Sequence, residues 1–343
     1  MALGSTAGGL LRAVYLCSLA LTLVTIPVLA GAEAGHRTAF TGVNVAGGEF
    51  KSSRIPGRRD KDYTYPRARD FDPFARSGMN TVRVPLLWER IQPVPLGELD
   101  ERELAAVDAV VASLEPRAAL IILDIHNYGR FRGTLLTERP ELQRALPDLW
   151  SRLARHYSAQ SKVGFGIMNE PHDIAAPEWA DIAKDTLAAI RGAGARNVVL
   201  IPGTDWSGAH SWIRSNAAAF SKFSDPANNF LFEMHQYLDQ NSSGTGNECP
   251  DSGAGPARLR SATIWLRQHR RKGFLGEFGA AATPECLAAL DQLLTFVDEN
   301  SDVWAGWTYW ATGAWLGNYP YSVQPRSSGD RPQMQVLRRH LPQ

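Results

Sequence analysis

The chain has 343 residues, with 36 Lys and Arg against 35 Asp and Glu and 44% hydrophobic residues, a globular balance that excludes a wholly disordered polypeptide. A formal charge of +1 excludes the strong electrostatic footprint of a nucleic-acid binder, so no nucleic acid is expected as a partner. Behind a short leader the length suits one large α/β barrel or two modest domains.

The leader comes first. Arg12 is followed by an uncharged run from Ala13 to Ala30 and then by the small residues of Ala30-Gly31-Ala32-Glu33-Ala34. That layout reads as a secretory signal peptide over residues 1–34, cut after Ala32 or Ala34. The competing reading is an uncleaved anchor, for which roughly 18 apolar residues are at the short limit. A lipobox before Cys17 fits poorly, because Tyr15 and Leu16 are bulky. The expected product is a secreted, extracellular protein of residues 35–343 with no stable membrane association. Cys17 leaves with the leader, so Cys249 and Cys286 remain, and two cysteines in an exported chain suggest one disulfide.

Eight strand-like runs follow: Thr41–Ala46, Asn80–Trp88, Ala119–Asn127, Val163–Pro171, Asn197–Gly203, Asn229–Tyr237, Gly273–Gly279 and Trp304–Thr312. Between most of them lie helix-spaced segments, Leu99–Leu114, Glu141–Ser158, Ala176–Ala193, Ala257–Arg270 and Pro284–Asp298. Strand then helix, eight times over, predicts an α/β fold, a single-domain (β/α)8 TIM barrel. A doubly wound sheet also alternates, but no Gly-rich phosphate fingerprint follows the first run. The basic stretch of Arg54, Arg58, Arg59, Lys61, Arg67 and Arg69 is interrupted by acids and aromatics and reads as a solvated loop. No Ser/Thr/Pro-rich linker suggests a second domain or binding module. The longest irregular stretch, Asp239–Pro256, follows the sixth run and is expected on the barrel face that carries active sites.

Polar groups gather at the C-terminal ends of those runs: Arg83, then Asp124, His126 and Asn127, then Asn169 and Glu170, His235 and Tyr237, Glu277, and Trp310. Strand alternation puts Gly164, Gly166, Met168 and Glu170 on one face, as it does Glu233, His235 and Tyr237, and Gly273, Leu275 and Glu277. Two carboxylates on different strand ends, Glu170 and Glu277, suit glycoside hydrolysis, which needs one proton donor and one ionised group beside an oxocarbenium-like centre. A metal-dependent barrel hydrolase on Asp124, His126 and His235 is a remote alternative, lacking a persuasive ligand motif. A non-catalytic carbohydrate-binding protein is another, at odds with both glutamates being present.

The segments Asn80-Thr81-Val82-Arg83-Val84-Pro85, Asp124-Ile125-His126-Asn127, Ile167-Met168-Asn169-Glu170-Pro171, Phe232 to Asp239, Phe274-Leu275-Gly276-Glu277-Phe278-Gly279 and Gly306-Trp307-Thr308-Tyr309-Trp310 together resemble glycoside hydrolase family 5. Within that family they resemble the secreted endo-β-1,4-glucanases, from about Thr41 to Trp315. The resemblance implies retaining, endo-acting hydrolysis of β-1,4-glucan, with Glu170 as general acid/base and Glu277 as nucleophile. Glu277 would be held ionised by Arg83 and by a hydrogen bond from Tyr237. Arg83, His126, Asn127, Asn169, His235, Tyr237 and Trp310 form the expected substrate-binding set, Asn169 facing the sugar 2-hydroxyl. Trp88, Trp206, Trp212 and Trp315 are further candidates for sugar platforms. The resemblance implies a β-glucan partner, no cofactor or metal, and a monomer. An endo-β-mannanase or mixed-linkage glucanase of the same mechanism is the alternative.

Overall fold

The computed structural model describes residues 37–342, so the expected leader, 1–34, lies outside the described residues. Eight parallel strands close into a barrel: β1 (Phe40–Val45), β2 (Thr81–Leu86), β3 (Leu120–Ile125), β4 (Val163–Gly166), β5 (Val199–Pro202), β6 (Phe230–Tyr237), β7 (Gly273–Gly279) and β8 (Trp304–Thr312). Each pairs with its neighbours in chain order and β8 closes onto β1. The expected (β/α)8 TIM barrel is therefore present, and the last two strands match their expected limits.

Helices α1 (Ala68–Arg76), α2 (Glu101–Leu114), α3 (Pro140–Tyr157), α4 (Ala176–Gly192), α5 (Ala254–Gln268), α6 (Pro284–Glu299) and α7 (Pro332–Arg339) cover the outside. Their starts are written locally. The Asp100 carboxylate accepts from the Arg102 and Glu103 amides at 2.9 and 3.0 Å, and the Thr283 hydroxyl accepts from Cys286 before Pro284 opens α6. After β5 two short turns, Trp212–Ser215 and Ala217–Phe220, replace a long helix. Asn216 breaks the run, its side chain binding the Thr204 amide and carbonyl at 2.8 and 3.0 Å. Helix α1 escaped the periodicity because Pro73 interrupts it.

Two buried layers follow from strand alternation. The larger core lies between barrel and helices, and a smaller, separate cluster of Leu120, Ile122, Leu200, Leu231 and Phe274 plugs the N-terminal end of the barrel. Further along the same faces, Ile122 gives way to Asp124 and Leu231 to Glu233. The interior thus turns from apolar to charged toward the C-terminal ends, where the site is built. Two outer tryptophans brace that end: Trp150 donates to the Ile167 carbonyl at 2.9 Å and Trp179 to the Pro202 carbonyl at 2.7 Å.

Alternation fails at two places that shape the site. On β7, Met234 of β6 pairs with Leu275 but His235 pairs with Glu277, a register shift centred on Gly276. Leu275 therefore joins the outer core while Glu277 points inward, correcting the expectation that the two share a face. A Cβ on Gly276 would meet the Glu233 carboxylate at 2.2 Å, so only glycine fits. The run Val163–Pro171 stops being strand at Gly166, and Glu170 itself is left-handed with φ of 41°. The basic stretch from Arg54 to Arg67 is the exposed loop expected, with Arg54 paired to Asp62 and Arg67 to Asp60, each at 2.9 Å, whereas Arg69 is exposed on α1.

Candidate active site

The hub is Arg83, fully buried on β2. Its Nη1 donates to Glu277 Oε1 at 2.8 Å and to Asn44 Oδ1 at 2.9 Å, and its Nη2 donates to Asn169 Oδ1 at 2.8 Å. Asp124 Oδ1 and Glu233 Oε1 complete the shell at 2.9 and 2.8 Å. One buried guanidinium thus holds three carboxylates, and removing Arg83 would leave their charges without it in a buried site. Burial alone would lower the Arg83 pKa, and Asp124, Glu233 and Glu277 raise it instead. Arg83 has no exposed surface, so the expected substrate contact is corrected: it acts through Glu277 and Asn169.

Both oxygens of Glu277 are engaged. Oε1 accepts from Arg83, and Oε2 accepts from the Tyr237 hydroxyl at 2.7 Å. Burial pushes its carboxyl up, His235 and Arg83 pull it down, and the facing Glu170 pushes again, with a net rise. Arg83 and Tyr237 are placed as expected, but the outcome is a carboxyl raised by burial, contrary to a simple salt-bridge expectation. Glu170 is different. Its Oε1 is 2.7 Å from His235 Nδ1, and its side chain retains 15% exposure. Among the described residues its other oxygen has no hydrogen-bond partner, which leaves it free to carry a proton toward the cleft.

His235 joins the two. A ring nitrogen of His235 and one carboxylate oxygen each of Glu170 and Glu277 lie within 4.8 Å of one another. Its Nε2 is 3.4 Å from Glu233 Oε1. Burial would lower the imidazole pKa, but Glu277, Glu170 and Glu233 push it up to about 10. Burial likewise opposes a proton on His126, and Asp124 and Glu277 outweigh it. The Asp124 carboxylate sits 2.8 Å from His126 Nδ1; in the neutral tautomer, Nε2 then accepts from the Asn169 amide at 3.2 Å. Asn169 is held from both ends as part of the floor.

Above this floor opens a cleft of about 640 Å³ lined by Glu170, Glu277, His126, His235, Tyr237 and Trp310, among others. Trp310 is half-buried, stacked at 5.4 Å on His126. Residues Asn241–Thr245 of the long loop also line the cleft. Asp239 nests that loop: burial works against its charge, but the Ser243 hydroxyl and the Gly244 and Gly246 amides hold its pKa low. The disulfide Cys249–Cys286, with Cα atoms 5.2 Å apart, ties the loop to α6.

Several expected residues fall elsewhere. Asn127 lines the adjoining chamber and not this cleft; its amide accepts from the Trp88 backbone and donates to Glu89, each at 2.8 Å, bracing the β2 loop. Trp88 and Trp212 are wholly buried packing residues, not platforms. Trp315 is 40% exposed but lines a different pocket, whereas Trp206, 49% exposed, lies in the cleft. The Asp124, His126 and His235 set is divided, Asp124 holding His126 while His235 faces Glu170. Sequence reading left out Asn44 and gave Glu233 no role; the position of Glu233 two before His235 on one strand face was the available signal. Tyr128 and Tyr319, also in the cleft, come from loops with no periodicity to read.

A family model described as cellulase, glycosyl hydrolase family 5, matches residues 37–313. The curated endoglucanase gh5-1 of Neurospora crassa is 37% identical over 300 residues, 86% of this chain and 75% of that one. The solved structure of XacCel5A in complex with cellopentaose shares 46% identity at a TM-score of 0.86, covering 88% of this chain and 99% of that one. An endo-β-1,4-glucanase from Xanthomonas axonopodis pv. citri shares 45% at a TM-score of 0.85, covering 88% and 99%.

Proposed function

We infer that this chain, which belongs to glycosyl hydrolase family 5, hydrolyses internal β-1,4-glucosidic bonds of cellulose and soluble β-glucans with retention of configuration. The observation that carries the mechanism is the approach of the Glu170 and Glu277 carboxylate oxygens to within 4.8 Å. Retaining enzymes place their carboxyls roughly 5–5.5 Å apart, whereas inverting ones leave about 6.5–9.5 Å for a water.

The roles follow from which oxygens are free. Glu277 has both oxygens oriented by Arg83 and Tyr237, which favour its ionised form, and each oxygen keeps a lone pair for the anomeric carbon. It attacks that carbon, forming the glycosyl ester as the glycosidic C–O bond breaks. Glu170 delivers its proton to the departing oxygen, then takes one from the water that opens the ester. Asn169, fixed by Arg83 and His126, has a second amide hydrogen for the sugar 2-hydroxyl. Trp310 offers its face to the ring. His235 holds Glu170, and Tyr237 stabilises charge on Glu277.

Export of residues 35–343 after removal of 1–34, as a monomer acting outside the cell, belongs to the same proposal. A polymer too large to enter a cell and a disulfide suited to an oxidising compartment support it. Assay on carboxymethyl cellulose, mixed-linkage glucan, mannan and xylan tests the reading: the fastest turnover is expected on the β-1,4-glucan, and a preference for mannan would overturn it.

A further inference from the structure

A third glutamate lies beside the catalytic pair and takes no step in the hydrolysis. Glu233 on β6 is fully buried, and its Oε1 lies 2.8 Å from Arg83 Nε and 3.4 Å from His235 Nε2. Its Oε2 has no hydrogen-bond partner among the described residues, so the side chain works through one oxygen. Gly276 makes room for it, since a Cβ there would meet that same Oε1 at 2.2 Å. Burial pushes the Glu233 carboxyl up, but Arg83 and His235 outweigh it and hold it low, which makes this a buried anion.

His235 connects this anion to the acid. Its Nδ1 is 2.7 Å from Glu170 Oε1 while Nε2 faces Glu233, so one ring bridges the two carboxylates. The hydrogen positions follow by elimination. A bare Nε2 would set two acceptors 3.4 Å apart in a buried pocket, and a bare Nδ1 would require the Glu170 proton to sit on Oε1, against the ring. A ring protonated on both nitrogens satisfies both carboxylates. Burial opposes the second proton, and Glu277, Glu170 and Glu233 outweigh it, with Glu277 on β7 3.7 Å from Nδ1. Arg83 on β2 stands behind Glu233, Tyr237 donates to Glu277, and the segment after β5 brings Asp205, His210 and Arg214 to the same cleft.

We propose that Glu233 is a positioning residue for the hydrolysis: through His235 it decides which oxygen of Glu170 carries the catalytic proton. This rests on the glucanase reading above. With Nδ1–H donating to Oε1, the acid proton of Glu170 is left to its other oxygen, the one not bound to His235. A departing sugar oxygen can take a proton from there, whereas a proton on Oε1 is held by the ring. Glu233 itself neither gives nor takes a proton during turnover.

The test uses Glu233→Gln, which keeps the volume and an oxygen toward Arg83 but removes the charge. Because that oxygen still faces Nε2, the neutral ring keeps its hydrogen there and loses the one on Nδ1. Heteronuclear NMR of labelled histidine, with His235→Gln identifying the signal, should show the ring titrating about one to three pH units lower in E233Q. E233D, which keeps the charge, should stay close to wild type. In E233Q the kcat/KM for cellohexaose, which needs acid help, should fall about tenfold at about pH 8 relative to that for dinitrophenyl β-cellobioside, whose leaving group departs without it. An unchanged ring titration in E233Q overturns the proposal, and so does an equal loss on both substrates, which would mark Glu233 as support for Arg83 and Glu277 alone. A wild-type enzyme inactive on both substrates would instead overturn the glucanase reading, and this one with it.

Discussion

Glu170 and Glu277 differ in what their oxygens already touch, and that difference predicts opposite rescues. Glu170→Ala removes the proton donor but leaves a nucleophile oriented by Arg83 and Tyr237. With an activated aryl cellobioside and azide it should regain turnover and release the β-glycosyl azide, because azide opens the covalent intermediate. Glu277→Ala has no intermediate to open, so azide can only attack directly and give the α-product. Identical anomers from both variants, read by NMR, would contradict the assignment. His235 makes a second prediction, on stability. Its pKa is about 10 in the fold, against roughly 6.5 unfolded, so between these values the native state holds a proton that the unfolded chain has lost. Its contribution is therefore complete below about pH 6.5 and is lost as pH rises through the folded value. Urea unfolding at rising pH should show this decline, and His235→Gln should flatten it; an equal slope in the variant would refute the linkage.

The elements show where a barrel bends local rules to build its site. Gly276 lets β7 shift register so that Glu277 turns inward beside Glu233. Gly276→Ala forces a methyl into the Glu233 carboxylate, and a cost of about 1–3 kcal/mol is expected from overpacking, with activity falling as Arg83 loses its arrangement. Denaturant midpoints and rates on soluble glucan measure both; a variant as stable and active as wild type would show the shift to be incidental. That register shift also marks the limit of the sequence. Strand–helix alternation revealed the barrel, and strand ends revealed Glu170, His235 and Glu277, because both signals are local. The inward turn of Glu277, the φ of Glu170 and the employment of Asn127 in bracing Trp88 depend on neighbours distant along the chain, which periodicity does not encode. Cys249 and Cys286 were legible for a different reason: with Cys17 assigned to the expected leader, the two other cysteines have one pairing. Their separation of 37 residues corresponds to about 4 kcal/mol of chain entropy at most. Reduction should lower the melting temperature and cut activity on polymer more than on an aryl cellobioside, since the tied loop lines the cleft. Equal losses on the two substrates would show that the bond serves the whole barrel instead.

At the scale of the molecule, the charged end of the barrel opens into a groove longer than the catalytic pair requires. The cleft of about 640 Å³ adjoins a second chamber of about 640 Å³, and the two share His126 and Tyr128. An extended groove admits a polymer along its length, so the viscosity of a soluble glucan should fall well before reducing ends accumulate. The stereochemistry comes from the same architecture. Residues on β6, β7 and the segment after β4 converge because strands of one barrel point their ends at a common axis, and that convergence leaves the carboxylate oxygens of Glu170 and Glu277 within 4.8 Å. No room remains between them for a water to attack from the face opposite the leaving group. Water can enter only after the leaving sugar has gone, on the face that it vacated, and Glu170 is the group placed there to activate it. Two inversions at one carbon restore the starting configuration. Proton NMR at early times in the digestion of a cello-oligosaccharide should therefore show the β-anomer rising first and the α-anomer appearing only by mutarotation. An early α-signal would mean that water attacks directly, and Glu277 would then have to be reassigned from nucleophile to base.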